Sequence, residues 1–261
     1  MYKKAFGKIN IILKVHNKKA NESKHQIDSV MQICNKVYDK IKIKSAKNFN
    51  VKYVNSYKQN ISFDDCSISK IVKWFKSNFP NSNTNFQVNV IKNIPINSGF
   101  GGESTDAAFV LSFLICKNNI PELTNKQIKD IAINVGSDIP FFLSRAHTAH
   151  VTGFGDEVKI IKKAQVDYKI YPIMEKCSSK NVYEALDKDT NFQSKYTSSS
   201  LYVDVLNNEY TFTDYYNDLQ NYVFQLYPEV KKQYDKLNNF AKHPIIVNGA
   251  GSYLIIFNSD Y

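Results

Sequence analysis

The sequence has few cysteines, no long apolar run and no group of three closely spaced metal-ligand residues, and each absence excludes a class of protein. The four cysteines lie far apart without a Cys-x-x-Cys pair, which excludes a zinc or redox motif and a disulfide framework. His147 and His150 have no third ligand nearby, so no metal site is predicted from protein ligands. No apolar stretch approaches the ~18 to 20 residues of a membrane span. The N-terminus shows no signal core, so we expect a reduced, cytoplasmic protein with no membrane partner.

The chain is basic, with a formal net charge of +10, but it has no nucleic-acid-binding signature. Clustered lysines would indicate contacts with a phosphate backbone. Here the lysines alternate with apolar residues, as in the run 41–44, where a strand would place them on its solvated face. We therefore expect no nucleic-acid partner, and the excess charge is suited to attracting polyanionic nucleotides.

The run 95–108 is the segment that indicates a function most directly. Gly99, Gly101 and Gly102 allow a tight turn and a close approach to a bound group, and a helical pattern follows from Ser104. Free N–H groups and the helix dipole at such a turn bind phosphate. A glycine cluster is also common in a plain turn before a buried helix. The alternating strand pattern at 86–90 favours the anion-binding interpretation.

Hydrophobic periodicity predicts an α+β fold in two domains. The predicted boundaries are 1–146 for a nucleotide-binding domain and 147–261 for a C-terminal domain. Strands are predicted near 6–15, 37–44, 49–54, 86–91, 148–152, 157–161, 168–173, 244–248 and 253–257. Helices are predicted near 66–78, from a capping box at 124–127, and near 180–187, 215–226 and 229–240.

Three motifs in a fixed order resemble those of the galactokinase, homoserine kinase, mevalonate kinase and phosphomevalonate kinase (GHMP) superfamily. They are Gly-Lys-Ile-Asn at 7–10, the glycine-rich loop, and Asn-Gly-Ala-Gly-Ser at 248–252. Within the superfamily, the segments 25–32, 136–142 and 153–156 resemble the 4-(cytidine 5'-diphospho)-2-C-methyl-D-erythritol kinase family. The resemblance implies a two-domain fold with a cleft between a nucleotide-binding domain and a smaller C-terminal domain.

Phosphoryl transfer to an alcohol needs a phosphate site, a cation and a group that acts on the hydroxyl. Lys8 supplies a cation and Asp138 a carboxylate, and the two positions match the catalytic pair of the family. The resemblance implies Mg-ATP as donor, with the metal near Ser104 or Thr105. The predicted ATP-binding residues are Pro95, Ser98, Gly99, Gly101, Gly102, Glu103, Ser104 and Thr105.

The same resemblance implies a small alcohol linked to cytidine diphosphate as acceptor, and a monomer or homodimer. Asn10, His25, Gly249 and Gly251 are predicted to line the acceptor site, and Tyr183 is predicted to stack on the cytosine ring. Packing roles remain open for Asn10 and Tyr183, and a turn role for His25.

Three departures from the family pattern keep other functions open. Glu103 replaces a third consecutive glycine, Lys24 replaces an aromatic residue, and the segment 65–67 reads Asp-Cys-Ser. Lys24 motivates a GHMP-type kinase of another alcohol, such as a homoserine-like or mevalonate-like compound. Glu103 and the segment 65–67 motivate a catalytically weak, nucleotide-binding regulatory protein.

Overall fold

The structure is a computed structural model, and it describes residues 1–55, 60–61, 66–161, 166–194 and 215–257. Asp65, one of the departures noted above, lies outside the described residues. Helices and strands occur together along the described chain, so the predicted α+β class is confirmed.

Most strands of the described chain belong to one eight-stranded sheet. Its members are β1 (Lys3–Val15), β2 (Ile27–Ser45), β3 (Asn50–Asn55), β4 (Asn60–Ile61), β5 (Phe86–Lys92), β6 (Thr148–Gly153), β7 (Glu157–Ile160) and β9 (Tyr216–Asn217). A second, three-stranded sheet contains β8 (Tyr168–Tyr171), β10 (Ile245–Val247) and β11 (Leu254–Phe257) in the order β10-β11-β8.

The long strand β2 organises the large sheet. It pairs antiparallel with β1 along most of its length. On its other edge, residues 27–32 pair with β6 and residues 40–45 pair with β5. β1 in turn pairs with β9 in parallel, so β1 has a neighbour on each edge. Every residue of β1 from Gly7 onward is buried, so packing covers both faces of the strand and places Lys8 and Asn10 inside the molecule.

Seven helices of the described residues pack against these sheets. They are α1 (Ser67–Asn78), α2 (Gly102–Lys117), α3 (Asn125–Asn134), α4 (Ile139–Leu143), α5 (Ser179–Lys188), α6 (Gln220–Leu226) and α7 (Pro228–Asn238). Both hydrogen bonds of the predicted capping box at the start of α3 are present. The Thr124 side chain accepts from the Gln127 backbone N–H, and the Gln127 side chain accepts from the Thr124 backbone N–H.

Burial follows the predicted apolar faces. In α1, the side chains of Ile68, Ile71, Val72 and Phe75 are all buried against α2 and the large sheet. β5 alternates between buried and half-buried residues along its whole length, as its period of two predicts. α1 and α2 therefore form a layer on the sheet, and α2 begins at the end of that layer, directly after the glycine-rich loop.

Three expected elements differ from the structure. β2 begins at Ile27, ten residues before the predicted strand, because its first half is paired on both edges. The predicted helix 215–226 is wrong at its start, where β9 pairs with β1 before α6 begins. β6 and β7 follow residue 146 yet belong to the large sheet, so the sheet continues past the predicted domain boundary. The division into two domains stays a prediction.

Candidate active site

A cleft of about 640 Å³ gathers most of the predicted site residues. The predicted residues that line it are Lys8, Asn10, His25, Pro95, Ser98, Gly99, Gly101, Gly102, Glu103, Ser104, Asp138, Tyr183 and Gly249. They come from β1, the connection between β1 and β2, the glycine-rich loop, α2, the start of α4, α5 and the segment before β11. The part of the cleft lined by the glycine-rich loop is here called the donor end, and the part lined by α5 is called the acceptor end.

The glycine-rich loop has a backbone that only glycine adopts easily. Gly99 and Gly101 have φ angles of 75° and 68°. A Cβ atom at Gly99 would overlap the carbonyl oxygen of Asn248, so the loop packs directly on the third motif. Gly101 occupies the N-cap position before α2, and among the described residues no side chain caps this helix. The first N–H groups of α2 are therefore left for an anion, as the loop pattern predicts.

Lys8 and Asp138 meet at the base of this loop. The Lys8 ammonium lies 3.7 Å from Asp138 Oδ2 and donates a hydrogen bond of 2.5 Å to Asn10 Oδ1. The Lys8 side chain is 6% exposed, whereas Asp138 is 22% exposed and opens to the cleft. A Cβ atom at Gly101 would lie 3.0 Å from Asp138 Oδ2, which brings the loop and the carboxylate together. The side chains of Lys8, Asn10 and Asp138 are thus close enough to contact the same bound group.

Asn10 is oriented by a buried hydrogen-bond network. Its amide donates to Ser29 Oγ at 2.9 Å, and the Ser29 hydroxyl donates to the carbonyl of Ile12 at 2.6 Å. The Asn10 backbone N–H donates to Asn248 Oδ1 at 3.3 Å. Because the amide faces Ser29, the Asn10 side-chain oxygen is left to accept from Lys8. The network fixes the position of the Lys8 ammonium beside Asp138.

A buried charge cluster beneath the loop was missed by the sequence reasoning. The Lys92 ammonium donates to Asp106 at 2.9 Å and to Asp39, which also accepts from the backbone N–H of Asn93 and Ile94. Burial lowers the pKa of Lys92, but the carboxylates of Asp106 and Asp39 outweigh it and raise that pKa. Burial raises the pKa of Asp106 to about 8, against the attraction of Lys92. The burial of Lys92 could have been predicted, because in the alternating pattern of β5 this residue falls on the buried face.

The acceptor end is formed by side chains from α5 and from the connection between β1 and β2. His25 Nε2 lies 2.9 Å from Asp187 Oδ1, and Lys18 donates to Asp187 Oδ2 at 2.8 Å. The ring of Tyr183 stacks on His25 at 5.5 Å between centroids. The predicted residues His25 and Tyr183 are thus neighbours, while Asp187 and Lys18 were not predicted.

Lys24 and Glu103, two departures from the family pattern, both line the cleft and both have partners. Lys24 donates to the carbonyl of Ala132 in α3 at 3.0 Å. Burial lowers the pKa of Lys24, and nearby Asp138 opposes that shift. Glu103 lies in the first turn of α2, where its carboxylate accepts a hydrogen bond of 2.9 Å from Ser67 Oγ. The Glu103 carboxylate is exposed, and its hydrogen bond to Ser67 directs it toward α1.

Two predicted residues do not line the cleft. Thr105 is 5% exposed within α2. Gly251 has a φ angle of 93°, and a Cβ atom there would lie 2.8 Å from Cys177 Sγ, so this glycine allows close packing.

His150 is a buried residue whose ring bonds Asp28 at 2.6 Å. Within the described ranges, no group of three or more potential ligands is placed to hold a metal, and no helix could span a membrane.

No protein-family model matches the chain, but curated proteins resemble it over nearly its full length. The chain is 30% identical to the 4-diphosphocytidyl-2-C-methyl-D-erythritol kinase of Ureaplasma parvum, covering 97% of this chain and 93% of that protein. It is also 30% identical to the enzyme of that name in Petrotoga mobilis, covering 97% of each.

Solved structures show the same fold. A crystal structure of 4-(cytidine 5'-diphospho)-2C-methyl-D-erythritol kinase superposes with a TM-score of 0.72 at 19% identity, covering 99% of this chain and 90% of that one. Phosphomevalonate kinase of Streptococcus pneumoniae, solved with phosphomevalonate and AMPPNP, superposes with a TM-score of 0.65 at 11% identity, covering 100% and 93%. The GHMP kinase fold predicted from the motifs is confirmed.

Proposed function

We infer the function of this chain from its family, because the chain belongs to the 4-diphosphocytidyl-2-C-methyl-D-erythritol kinases. The proposed reaction is ATP-dependent phosphorylation of the 2-hydroxyl of 4-(cytidine 5'-diphospho)-2-C-methyl-D-erythritol, a step of the non-mevalonate isoprenoid pathway. The observation that carries the proposal is the pair of Lys8 and Asp138, 3.7 Å apart between the two ends of one cleft.

The donor end fits a nucleoside triphosphate. The uncapped start of α2 and the positive-φ glycines at 99 and 101 leave backbone N–H groups and space for phosphate oxygens. We propose that the loop 98–104 binds the phosphates and that the Ser104 hydroxyl, which lines the cleft, lies near a Mg²⁺ ion. Mg-ATP supplies the transferable phosphoryl group. Thr105 is buried and is proposed to support the loop.

The chemistry of the transfer is proposed to depend on Asp138 and Lys8. The Asp138 carboxylate opens to the cleft and accepts the proton of the acceptor hydroxyl as that oxygen attacks phosphorus. The Lys8 ammonium, held by Asn10, neutralises the negative charge that develops on the transferred group. Because Lys8 is almost fully buried, its charge is weakly screened there.

The acceptor end is proposed to bind the nucleotide half of the alcohol. Tyr183 offers an aromatic surface for cytosine, and the cleft-lining lysines 18, 24 and 180 suit a diphosphate. Gly249 lines the cleft beside Gly99, whereas Gly251 is proposed to act through packing on Cys177. The predicted domains 1–146 and 147–261, a cytoplasmic monomer or homodimer, and the lack of a nucleic-acid partner belong to the same proposal.

A coupled ADP-release assay tests the proposal. We expect turnover with 4-(cytidine 5'-diphospho)-2-C-methyl-D-erythritol and Mg-ATP, and far less with homoserine or mevalonate. Turnover with the cytidine-diphosphate alcohol no faster than with homoserine or mevalonate would overturn the substrate assignment. Tight ATP binding without turnover on any of them would favour a nucleotide-binding regulatory protein.

A further inference from the structure

The connection between β1 and β2, residues 16–26, forms one wall of the acceptor end. Its base is closed by a hydrogen bond of 2.9 Å from the His16 backbone N–H to the carbonyl of Gln26. Within the connection, the Glu22 carboxylate accepts from the Gln26 amide at 2.6 Å and from the backbone N–H of Lys19 at 3.2 Å. The connection is therefore a closed loop with its own internal bonds.

One carboxylate of α5, that of Asp187, bonds two side chains of this connection. Asp187 Oδ1 bonds His25 and Asp187 Oδ2 bonds Lys18, at 2.9 and 2.8 Å. Partial burial raises the pKa of Asp187, but its bonds to Lys18 and His25 outweigh that effect and lower it. A carboxylate with two cationic or N–H partners is thus kept charged in the folded protein.

The hydrogen-bond partners of the His25 ring are both acceptors. His25 Nδ1 lies 2.7 Å from the carbonyl oxygen of His16, and Nε2 faces the Asp187 carboxylate. Both contacts are hydrogen bonds only when both ring nitrogens carry a proton. The side chain is 7% exposed and stacks on Tyr183. With both nitrogens bonded, this ring is fixed and offers no donor or acceptor to a ligand.

We propose that Asp187 is a positioning residue that sets acceptor affinity, by bonding His25 and Lys18 and so fixing residues 16–26 against α5. The proposal rests on the proposed function, since the ligand is a cytidine-diphosphate alcohol bound at the acceptor end, which this wall and Tyr183 both line. The groups that face His25 are Asp187 and Tyr183 from α5, Lys18, and the backbone of His16. Asp187 acts through His25 and is separate from the Lys8 and Asp138 pair.

Steady-state kinetics separate this role from a catalytic one. Asp187→Asn keeps the shape and removes the charge, so we expect the KM for the acceptor to rise about fivefold, a modest factor because the carboxylate is partly exposed. The kcat and the KM for Mg-ATP should stay near their wild-type values. Asp235→Asn is the matched control, because Asp235 makes a similar bond to Lys231 on the exposed helix α7. An unchanged acceptor KM, or a fall in kcat, would overturn the proposal.

Failure of the proposed function is distinguishable from failure of this inference. If the wild-type chain does not phosphorylate the cytidine-diphosphate alcohol, the proposed function is wrong. Cytidine diphosphate is then the probe, with its dissociation constant measured by calorimetry. An affinity about fivefold weaker in Asp187→Asn supports the role of Asp187, because the same wall binds the base. Equal affinity in the two proteins would overturn it.

Discussion

The donor end and the acceptor end of the cleft are stabilised in different ways. At the donor end, backbone packs on backbone where Gly99 meets Asn248, and a fully buried charge cluster around Lys92 supports the loop. At the acceptor end, the contacts join side chains, and Lys18 and Asp187 are each about one-third exposed. Buried, tightly packed contacts leave little freedom, whereas partly exposed side-chain contacts can be exchanged one at a time.

This difference indicates that the two ends of the cleft have separate roles, one in binding the donor and one in binding the acceptor. The donor end is proposed to bind Mg-ATP, and one rigid loop binds its phosphates. The two solved kinases described above are named for different acceptors. The acceptor end of this chain is built from side chains, which single substitutions can change. The proposed catalytic pair, Lys8 and Asp138, lies where the donor end and the acceptor end meet. It should be needed for the reaction of both substrates.

The largest expected effect is at that junction. Asp138→Asn preserves shape but removes the basic group, so kcat should fall by ~10² or more. The dissociation constant for Mg-ATP and the unfolding midpoint should change little, because Asp138 is partly exposed and forms no part of the glycine-rich loop. Rapid-quench and binding measurements check both parts. A kcat within a few-fold of wild type would contradict the assignment of Asp138.

The next prediction tests the rigidity of the donor end. Gly99→Ala places a Cβ atom on the carbonyl of Asn248 and forces an alanine to a φ of 75°. We expect the free energy of unfolding to fall by about 2 to 4 kcal/mol and the KM for ATP to rise. Urea denaturation and ATP titration measure these effects.

Gly249→Ala is the matched control for that substitution. Gly249 also has a positive φ, of 56°, but a Cβ atom there would meet its nearest neighbour only at 3.6 Å. Only the backbone cost of about 1 to 2 kcal/mol is expected. If the two alanine variants were equally stable, the loop would be able to move away from Asn248, and the donor end would not be rigid.

The sequence predicted the parts of this site that depend on local patterns. All nine glycines of the chain lie in the segments singled out as motifs, and the positive φ angles of six of them explain why other residues are disfavoured there. The capping box of α3 and the alternation of β5 were likewise readable, because each depends on residues a few positions apart.

Contacts between distant residues were the parts that sequence reasoning could not find. Lys92 and Asp39 are 53 residues apart, and His25 and Asp187 are 162 apart. No local period relates such pairs, and only the pairing of β2 with β5 brings the first pair together. The first half of β2 was missed for a related reason, since its polar residues are buried between two strands.

A third prediction concerns the charge cluster of the donor end. Asp106 shares Lys92 with Asp39, and its Oδ1 atom has no partner among the described residues. Burial raises the pKa of Asp106 to about 8, above its unfolded value. The native state therefore binds more protons between about pH 4 and pH 8, so this group makes the free energy of unfolding fall as pH rises through that window.

Asp106→Asn tests this prediction. The amide keeps an acceptor for Lys92 and cannot ionise, so the stability loss between about pH 4 and pH 8 should be reduced relative to wild type. Urea denaturation at several pH values measures the slope. Asp235→Asn, an exposed carboxylate on α7, should leave the slope nearly unchanged. A steeper loss in Asp106→Asn would mean that the charged form of Asp106 stabilises the fold.

The smallest expected effect is at Glu103, where the donor end departs from the family pattern. The carboxylate lies in the first turn of α2, where negative charge stabilises a helix, and it is bonded to Ser67. Because that bond directs it toward α1, Glu103→Gln should lower the free energy of unfolding by ~0.3 to 1 kcal/mol and leave the KM for Mg-ATP nearly unchanged. Ser67→Ala removes the bond and keeps the charge, which separates the two contributions. A several-fold lower KM for Mg-ATP in Glu103→Gln would show that the carboxylate repels the triphosphate, and a higher one would show that it helps hold the metal.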